Sequence, residues 1–228
     1  MSNVSSRRVV IPAINVSLIG DLSVPRNPIG VVLFAHGSGS SRRSPRNRQV
    51  AIALEQRGLA TLLFDLLTEE EDRIDRLDAS LRFNIGLLAE RLIAATDWIR
   101  EQPAGSQRIG YFGASTGAAA ALIAAARRPE LVAAVVSRGG RPDLAGPALA
   151  EVHAPTMLIV GGEDPEVIQL NEVAMAGLTV PAELVIVPGA THLFEEPGTL
   201  ETVAELAADW FVEHLARPTA AEAPAVHA

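Results

Sequence analysis

Cysteine is absent from the 228 residues, which excludes disulfides, thiolate metal sites and a cysteine nucleophile. Aromatic residues are scarce, 4% against 48% hydrophobic, so a core has to be assembled from Val, Leu, Ile and Ala. Positive charge is in deficit: the formal net charge is −8, and an acidic chain has no basic face for phosphate backbones, so no nucleic-acid partner is expected. No apolar run is long enough to span a bilayer. The N-terminal MSNVSSRRVV holds two arginines but lacks the apolar stretch of a signal peptide. The expectation is a cytoplasmic protein without a membrane partner. The length fits one domain, able to bury roughly 70% of its unfolded surface.

What is present alternates between two patterns. Short, continuous β-branched and apolar runs read as strands buried on both faces: Gly30 to Ala35, Leu59 to Leu66, Ile109 to Phe112, Val132 to Ser137, Thr156 to Val160 and Ala182 to Val187. Helical patterns lie between them, over Arg46 to Arg57, Leu81 to Arg100, the alanine-rich run after Gly117, Glu166 to Gly177 and Leu200 to Leu215. Arg8 to Val24 reads as an antiparallel hairpin at a sheet edge. Glu69 to Asp78 is an acidic stretch suited to solvent, or to a mobile flap. Strand–helix alternation predicts an α/β fold with a mostly parallel sheet covered on both faces. The single domain is expected over residues 1–215, followed by a disordered Pro/Ala-rich tail over 216–228.

Chemistry concentrates in Gly113–Ala114–Ser115–Thr116–Gly117, which stands between a strand and a helix. Gly-x-Ser-x-Gly needs that setting: the turn is so tight that side chains two positions either side of the serine would collide with backbone. It lifts the hydroxyl above the sheet and sets it at a helix N-terminus, where free N–H groups favour developing negative charge.

A serine needs a base to take its proton, and a histidine base needs a carboxylate to fix its tautomer. Asp164, after Gly161–Gly162–Glu163, and His192, after Pro188–Gly189–Ala190–Thr191, fall at later strand ends. Open α/β sheets bind ligands beyond those ends. The chain order serine, acid, histidine is that of α/β-hydrolases. Asp143 is the alternative acid, and Asp164 could instead serve as a turn residue or helix cap before Pro165. Asp65 and His36 also end strands, and both read as structural. An oxyanion hole would use two backbone N–H groups, one from Thr116 and one from the His36–Gly37–Ser38–Gly39 loop, with Ser38 favoured over Gly37.

On FAHGSGSS, YFGASTGAAAAL, LIVGGEDPEV and PGATHLFEEPG, the chain resembles α/β-hydrolases of the dienelactone hydrolase-like group, over nearly its whole length to about Leu215. The resemblance implies Ser115 as nucleophile, Asp164 as acid and His192 as base. It implies no metal and no organic cofactor. Dienelactone hydrolases proper use a cysteine nucleophile, so the absence of cysteine here points to a serine-type esterase on small carboxylic esters or lactones. Acyl transfer or perhydrolysis on the same triad is an alternative, and so is a non-catalytic ligand-binding protein of the same fold.

Two arginine groups bear on the substrate. Arg42, Arg43, Arg46 and Arg48 crowd the loop after the Gly30 to Ala35 strand and read as a solvated face with a helix start, the alternative being attraction of an anionic acyl group. Arg138 and Arg141 flank Gly139–Gly140 at a strand end, placed either for a substrate carboxylate or for an ion pair with Asp143 or Glu163. The segment between Ser137 and Thr156 is too short for a large apolar lid, which favours a small or exposed ester. The oligomeric state is not legible.

Overall fold

The computed structural model describes residues 4–216. An eight-stranded sheet forms the middle layer, with strands β1 (Val4–Ala13), β2 (Val16–Pro25), β3 (Gly30–Ala35), β4 (Leu59–Phe64), β5 (Ile109–Ala114), β6 (Val132–Arg138), β7 (Thr156–Gly161) and β8 (Ala182–Val187). Their order across the sheet is β1-β2-β4-β3-β5-β6-β7-β8. β1 and β2 form the antiparallel hairpin, β2 pairs antiparallel with β4, and every later pairing is parallel. Strands β4, β3, β5 and β7 are buried at every residue, and β6 at all but one. That is the outcome expected of apolar runs without polar alternation.

Helices α1 (Pro45–Gln56) and α6 (Thr199–Leu215) cover one face, sealing a core built on Phe34, Phe112, Val136, Ile159 and Phe211. Helices α3 (Ile85–Arg100), α4 (Thr116–Arg127) and α5 (Pro165–Gly177) cover the other. There the seven alanines of α4 let it lie close to the sheet, while Tyr111 donates to or accepts from Thr96 at 2.6 Å between hydroxyl oxygens. The expected tail falls, beyond residue 216, outside the described residues. Among the described residues no helix is long and apolar enough to cross a membrane.

Two expectations need correction. The acidic stretch, given no element from the sequence, is helix α2 (Glu69–Asp78). Thr68 and Glu71 form a reciprocal capping box at its start, and four acidic residues fill the first turn, where the helix dipole favours them. Glu71 also pairs with the buried Arg91 of α3 at 2.8 Å. The long helix expected from Leu81 begins only at Ile85, capped by Asn84. Its intended first turn is captured by Asp75: one carboxylate oxygen accepts the amides of Leu81 and Arg82, both at 2.8 Å, and the other accepts Arg82 Nε at 2.7 Å. A charge-assisted acceptor reached from three donors outcompetes the helical alternative.

Burial alone would raise the Asp75 carboxyl, but the donors of Arg82 and Leu81 outweigh it and hold the group below its ordinary value. A carboxyl depressed in the folded state contributes stability above its unfolded value, and that contribution fades as pH falls through the folded one. Asp75→Asn is therefore expected to cost about 3 kcal/mol at neutral pH. The gap from the parent should narrow below about pH 4. Urea titrations at both pH values check it.

Candidate active site

Parallel strands deliver their C-terminal ends to one edge, and there the loops after β3, β5, β6, β7 and β8 meet. Ser115 follows β5 with φ 51° and ψ −124°, a conformation that costs a residue bearing a Cβ about 1–3 kcal/mol. The flanking glycines are obligatory for reasons of distance. A Cβ on Gly113 would lie 2.5 Å from Ala118 Cα, and one on Gly117 would lie 2.1 Å from the Ala35 carbonyl oxygen. Ser115 occupies the N-cap of α4, yet its side chain makes no capping bond. Its hydroxyl is left for other work.

The turn after β6 holds the serine and faces the histidine. Arg138 accepts the Ser115 amide at 3.3 Å, and the Arg141 amide donates to the Ser115 carbonyl at 3.0 Å. Between them, Gly139 adopts φ 49°, and a Cβ there would stand 3.0 Å from the His192 carbonyl oxygen and 3.7 Å from its Cε1. His192 Nδ1 lies 2.7 Å from Asp164 Oδ2. Asp164 is indeed an N-cap residue by position, at the start of α5, but its carboxylate makes no capping bond. It is committed to His192 instead. With Nδ1–H donating to Asp164, Nε2 is the nitrogen that can accept a proton. Asp143, the alternative acid, is taken by Arg141, whose Nε and Nη2 reach its two oxygens at 2.9 and 2.8 Å.

The loop after β3 comes up on the other side of Ser115. Gly37 is so close that a Cβ would sit 2.9 Å from Ser115 Cβ. Ser38 Oγ lies 3.0 Å from Thr116 Oγ1, tying the loop to the first turn of α4. Thr116 is the first residue of that helix, so its amide has no carbonyl of the helix to bond. Gly37, Ser38 and Thr116 thus stand together beside the serine, while backbone donors are aimed by a helix dipole.

His36 is structural, as expected: it is buried, its Nε2 accepts the Leu66 amide at 3.0 Å, and its Nδ1 lies 3.0 Å from the Gly37 carbonyl. Burial pushes its pKa down, so it stays neutral with both nitrogens occupied. Asp65 accepts the Arg42 amide and pairs with the Arg42 guanidinium. Three of the four clustered arginines are used in ion pairs: Arg42 with Asp65, Arg46 with Glu195 at 2.9 Å, and Arg48 with Asp21 at 3.4 Å. A cleft of about 420 Å³ opens between the loop after β3 and α2, lined in part by Gly37, Ser38, Arg43, Arg73 and Leu88.

Two supports went unforeseen in the sequence. Thr191 donates through its amide (3.1 Å) and hydroxyl (2.6 Å) to Glu196, locking the histidine loop; that hydroxyl and amide hold the Glu196 carboxyl below its usual value. Arg82, held by Asp75, offers its carbonyl to Ser38 Oγ at 3.4 Å. Neither contact has a periodic signature, because both join loop residues.

Residues 20–216 match the dienelactone hydrolase family. The chain belongs to that family. Dienelactone hydrolase from Anabaena variabilis is 58% identical, with a TM-score of 0.91 over 93% of this chain and 99% of that one. A dienelactone hydrolase-like promiscuous phosphotriesterase from metagenomic libraries, at 18% identity, shares the fold, with a TM-score of 0.75 over 93% and 99% of the two chains. A Mycobacterium tuberculosis protein with the provisional name phosphoribosyl transferase is 60% identical over 204 residues, 89% of this chain and 45% of the relative. The chain thus spans less than half the length of the curated relatives it matches first.

The close approach at Gly117 makes a sharp prediction. Gly117→Ala drives a methyl into a backbone carbonyl that belongs to β3, so it is expected to destabilise the fold by more than about 3 kcal/mol. A fall in denaturation midpoint of a degree or less would refute that reading of the elbow.

Proposed function

We propose that this member of a hydrolase family is a serine hydrolase that cleaves small carboxylic esters or lactones through an acyl-enzyme intermediate. The observation that carries it is the His192–Asp164 contact at 2.7 Å, set across Gly139 from a strained Ser115 whose hydroxyl is not spent on capping. Ser115 Oγ attacks the carbonyl carbon while His192 Nε2 takes its proton. Asp164 fixes the imidazole tautomer and stabilises the imidazolium that forms. The amides of Thr116 and of Ser38 or Gly37 receive the oxyanion, each such donor contributing about 3 kcal/mol to the transition state. His192 then returns the proton to the leaving alcohol, and a water activated by the same nitrogen releases the acid.

The cleft beside Ser38 and the brevity of the Pro142–Glu151 connection, a run of 3-10 turns, favour a small substrate over a long acyl chain. The transferase name of the Mycobacterium tuberculosis relative belongs to a chain more than twice the length matched here. We take this chain as the counterpart of the matched portion of that relative.

A fluorophosphonate probe followed by peptide mapping is expected to label Ser115, and short-chain 4-nitrophenyl esters to be turned over. Ser115→Ala should abolish both. Asp164→Asn should keep the fold and lower kcat by about 10³–10⁴ through the wrong histidine tautomer. An unlabelled Ser115 with untouched esters would sink the proposal.

A further inference from the structure

Helices α1, α3, α4, α5 and α6 each press apolar side chains into one of the two cores; α2 does not. Its two apolar residues face outward, Ile74 47% and Leu77 88% exposed, and its one buried residue is a carboxylate, Asp75. Burying a charge to seat a helix is costly unless the group is fully bonded. Asp75 is fully bonded, and its partners lie in one short segment. The carboxylate takes the amides of Leu81 and Arg82 together with Arg82 Nε, and the Asp75 carbonyl takes Arg82 Nη2 at 2.8 Å. Arg82 is thereby fixed at backbone and side chain at once. Seating α2 does not require so much, because its capping box and the Glu71–Arg91 pair already hold its first turns.

What Arg82 touches gives the grip a purpose. It stands against the loop after β3: a Cβ on Gly39 would meet Arg82 Nη1 at 3.9 Å, and Ser38 Oγ donates to the Arg82 carbonyl at 3.4 Å. A carbonyl only accepts, so the single Ser38 hydroxyl proton is committed to it. Thr116 Oγ1, 3.0 Å from Ser38 Oγ, is then the donor of that pair. The hydroxyl directions are set in one order, Thr116 to Ser38 and Ser38 to Arg82. Thr116 is buried and follows Ser115 directly, while Gly37 presses on Ser115 from the loop side. The amides of Thr116 and of the Gly37–Ser38 segment are the donors proposed above for the oxyanion, so this chain of bonds ties together the two sides of the hole.

We propose that Asp75 is a remote positioning residue of the Ser115 site: through Arg82 it sets the Ser38–Thr116 pair, and with it the spacing of the two backbone donors that receive the oxyanion. This rests on the hydrolase reading above and adds to it a contribution from a helix outside the loops that carry Ser115, Asp164 and His192. Donors of this kind act only when aimed at the charge that develops in the transition state. Loosening them lowers kcat and leaves ground-state binding of the ester in place.

The test uses the full chain with Asp75→Asn, Ser38→Ala, Thr116→Val, Thr116→Ser, the double variant Asp75→Asn/Ser38→Ala, and the core variant Ile99→Val as a control for lost stability. On 4-nitrophenyl butyrate, Asp75→Asn, Ser38→Ala and Thr116→Val should each lower kcat about tenfold with KM within about twofold of the parent. Inhibition by butylboronic acid, whose tetrahedral serine adduct places an oxygen in the same hole, should weaken in step with kcat. Thr116→Ser, which restores the hydroxyl, should behave as the parent. The double variant should be no slower than the slower single, because the residues act in series. Ile99→Val should lose stability and keep kcat. Independently of turnover, amide hydrogen exchange over residues 36–41 should be faster in Asp75→Asn and unchanged in Ile99→Val. If Asp75→Asn does not fold, Arg82→Met, which releases the side-chain half of the grip, takes its place in every comparison. Faster exchange in a protein that turns over no ester would keep the link from α2 to the loop and remove the hydrolase reading. Ester turnover with kcat and boronate affinity unchanged in Asp75→Asn, or with additive losses in the double variant, would overturn the positioning role and leave Asp75 as the anchor of α2 alone.

Discussion

The approach of α4 to the ends of β3 and β5 is the constraint from which the rest of this molecule follows. Gly117 lies against the Ala35 carbonyl with no room for a methyl, and Gly113 lies against Ala118 in the same way. Only an alanine-rich helix can come so near a sheet, and the alanines from Ala118 to Ala121 and at Ala124 and Ala125 are fully or almost fully buried. The contact forces Ser115 into its positive φ and keeps its hydroxyl off the helix. The strain, about 1–3 kcal/mol, is held by packing on both sides of the sheet.

From that anchor the site is assembled by backbone more than by side chains. The β6 turn grips Ser115 through the Arg138 carbonyl and the Arg141 amide, and the same turn, through Gly139, forms the wall against His192. One four-residue span, 138–141, therefore fixes the spacing between the Ser115 turn and the histidine loop. Side-chain clamps then stiffen the periphery: Thr191–Glu196 on the histidine loop, Ser38–Thr116 between the β3 loop and α4, and Asp75–Arg82 behind it. Water-accessible ion pairs such as Arg46–Glu195 add little energy of their own. Their effect lies in setting which charges face the site.

Much of this was legible in the sequence. Buried strands announce themselves as unbroken apolar runs, so the parallel order of the fold and the location of its C-terminal edge could be read directly. Gly-x-Ser-x-Gly carries its own steric reason, which is why Ser115 stood out, and the order serine, acid, histidine pointed to Asp164 and His192. Helix ends were less readable. The first turn expected of α3 was lost to Asp75, and the acidic run became a capped helix, because each outcome turned on hydrogen bonds between loop and helix residues that periodicity does not encode.

Composition and local pattern determined the fold class, the aliphatic core and the residue types at the strand ends, since burial and turn sterics act within a few residues of chain. Tertiary structure alone decided how the polar residues are spent. Arg141 and Arg138 look equivalent in SRGGRPD, two guanidiniums around a glycine pair. One is bound by Asp143 two residues away; the other is carried by the twist and alternation of β6 beneath the histidine loop, where no carboxylate reaches it. The same holds for Asp164, cap by position and partner of His192 by geometry. Whether a charge finds its counter-ion depends on distances across the fold, and those distances exist only once the strands have been laid side by side.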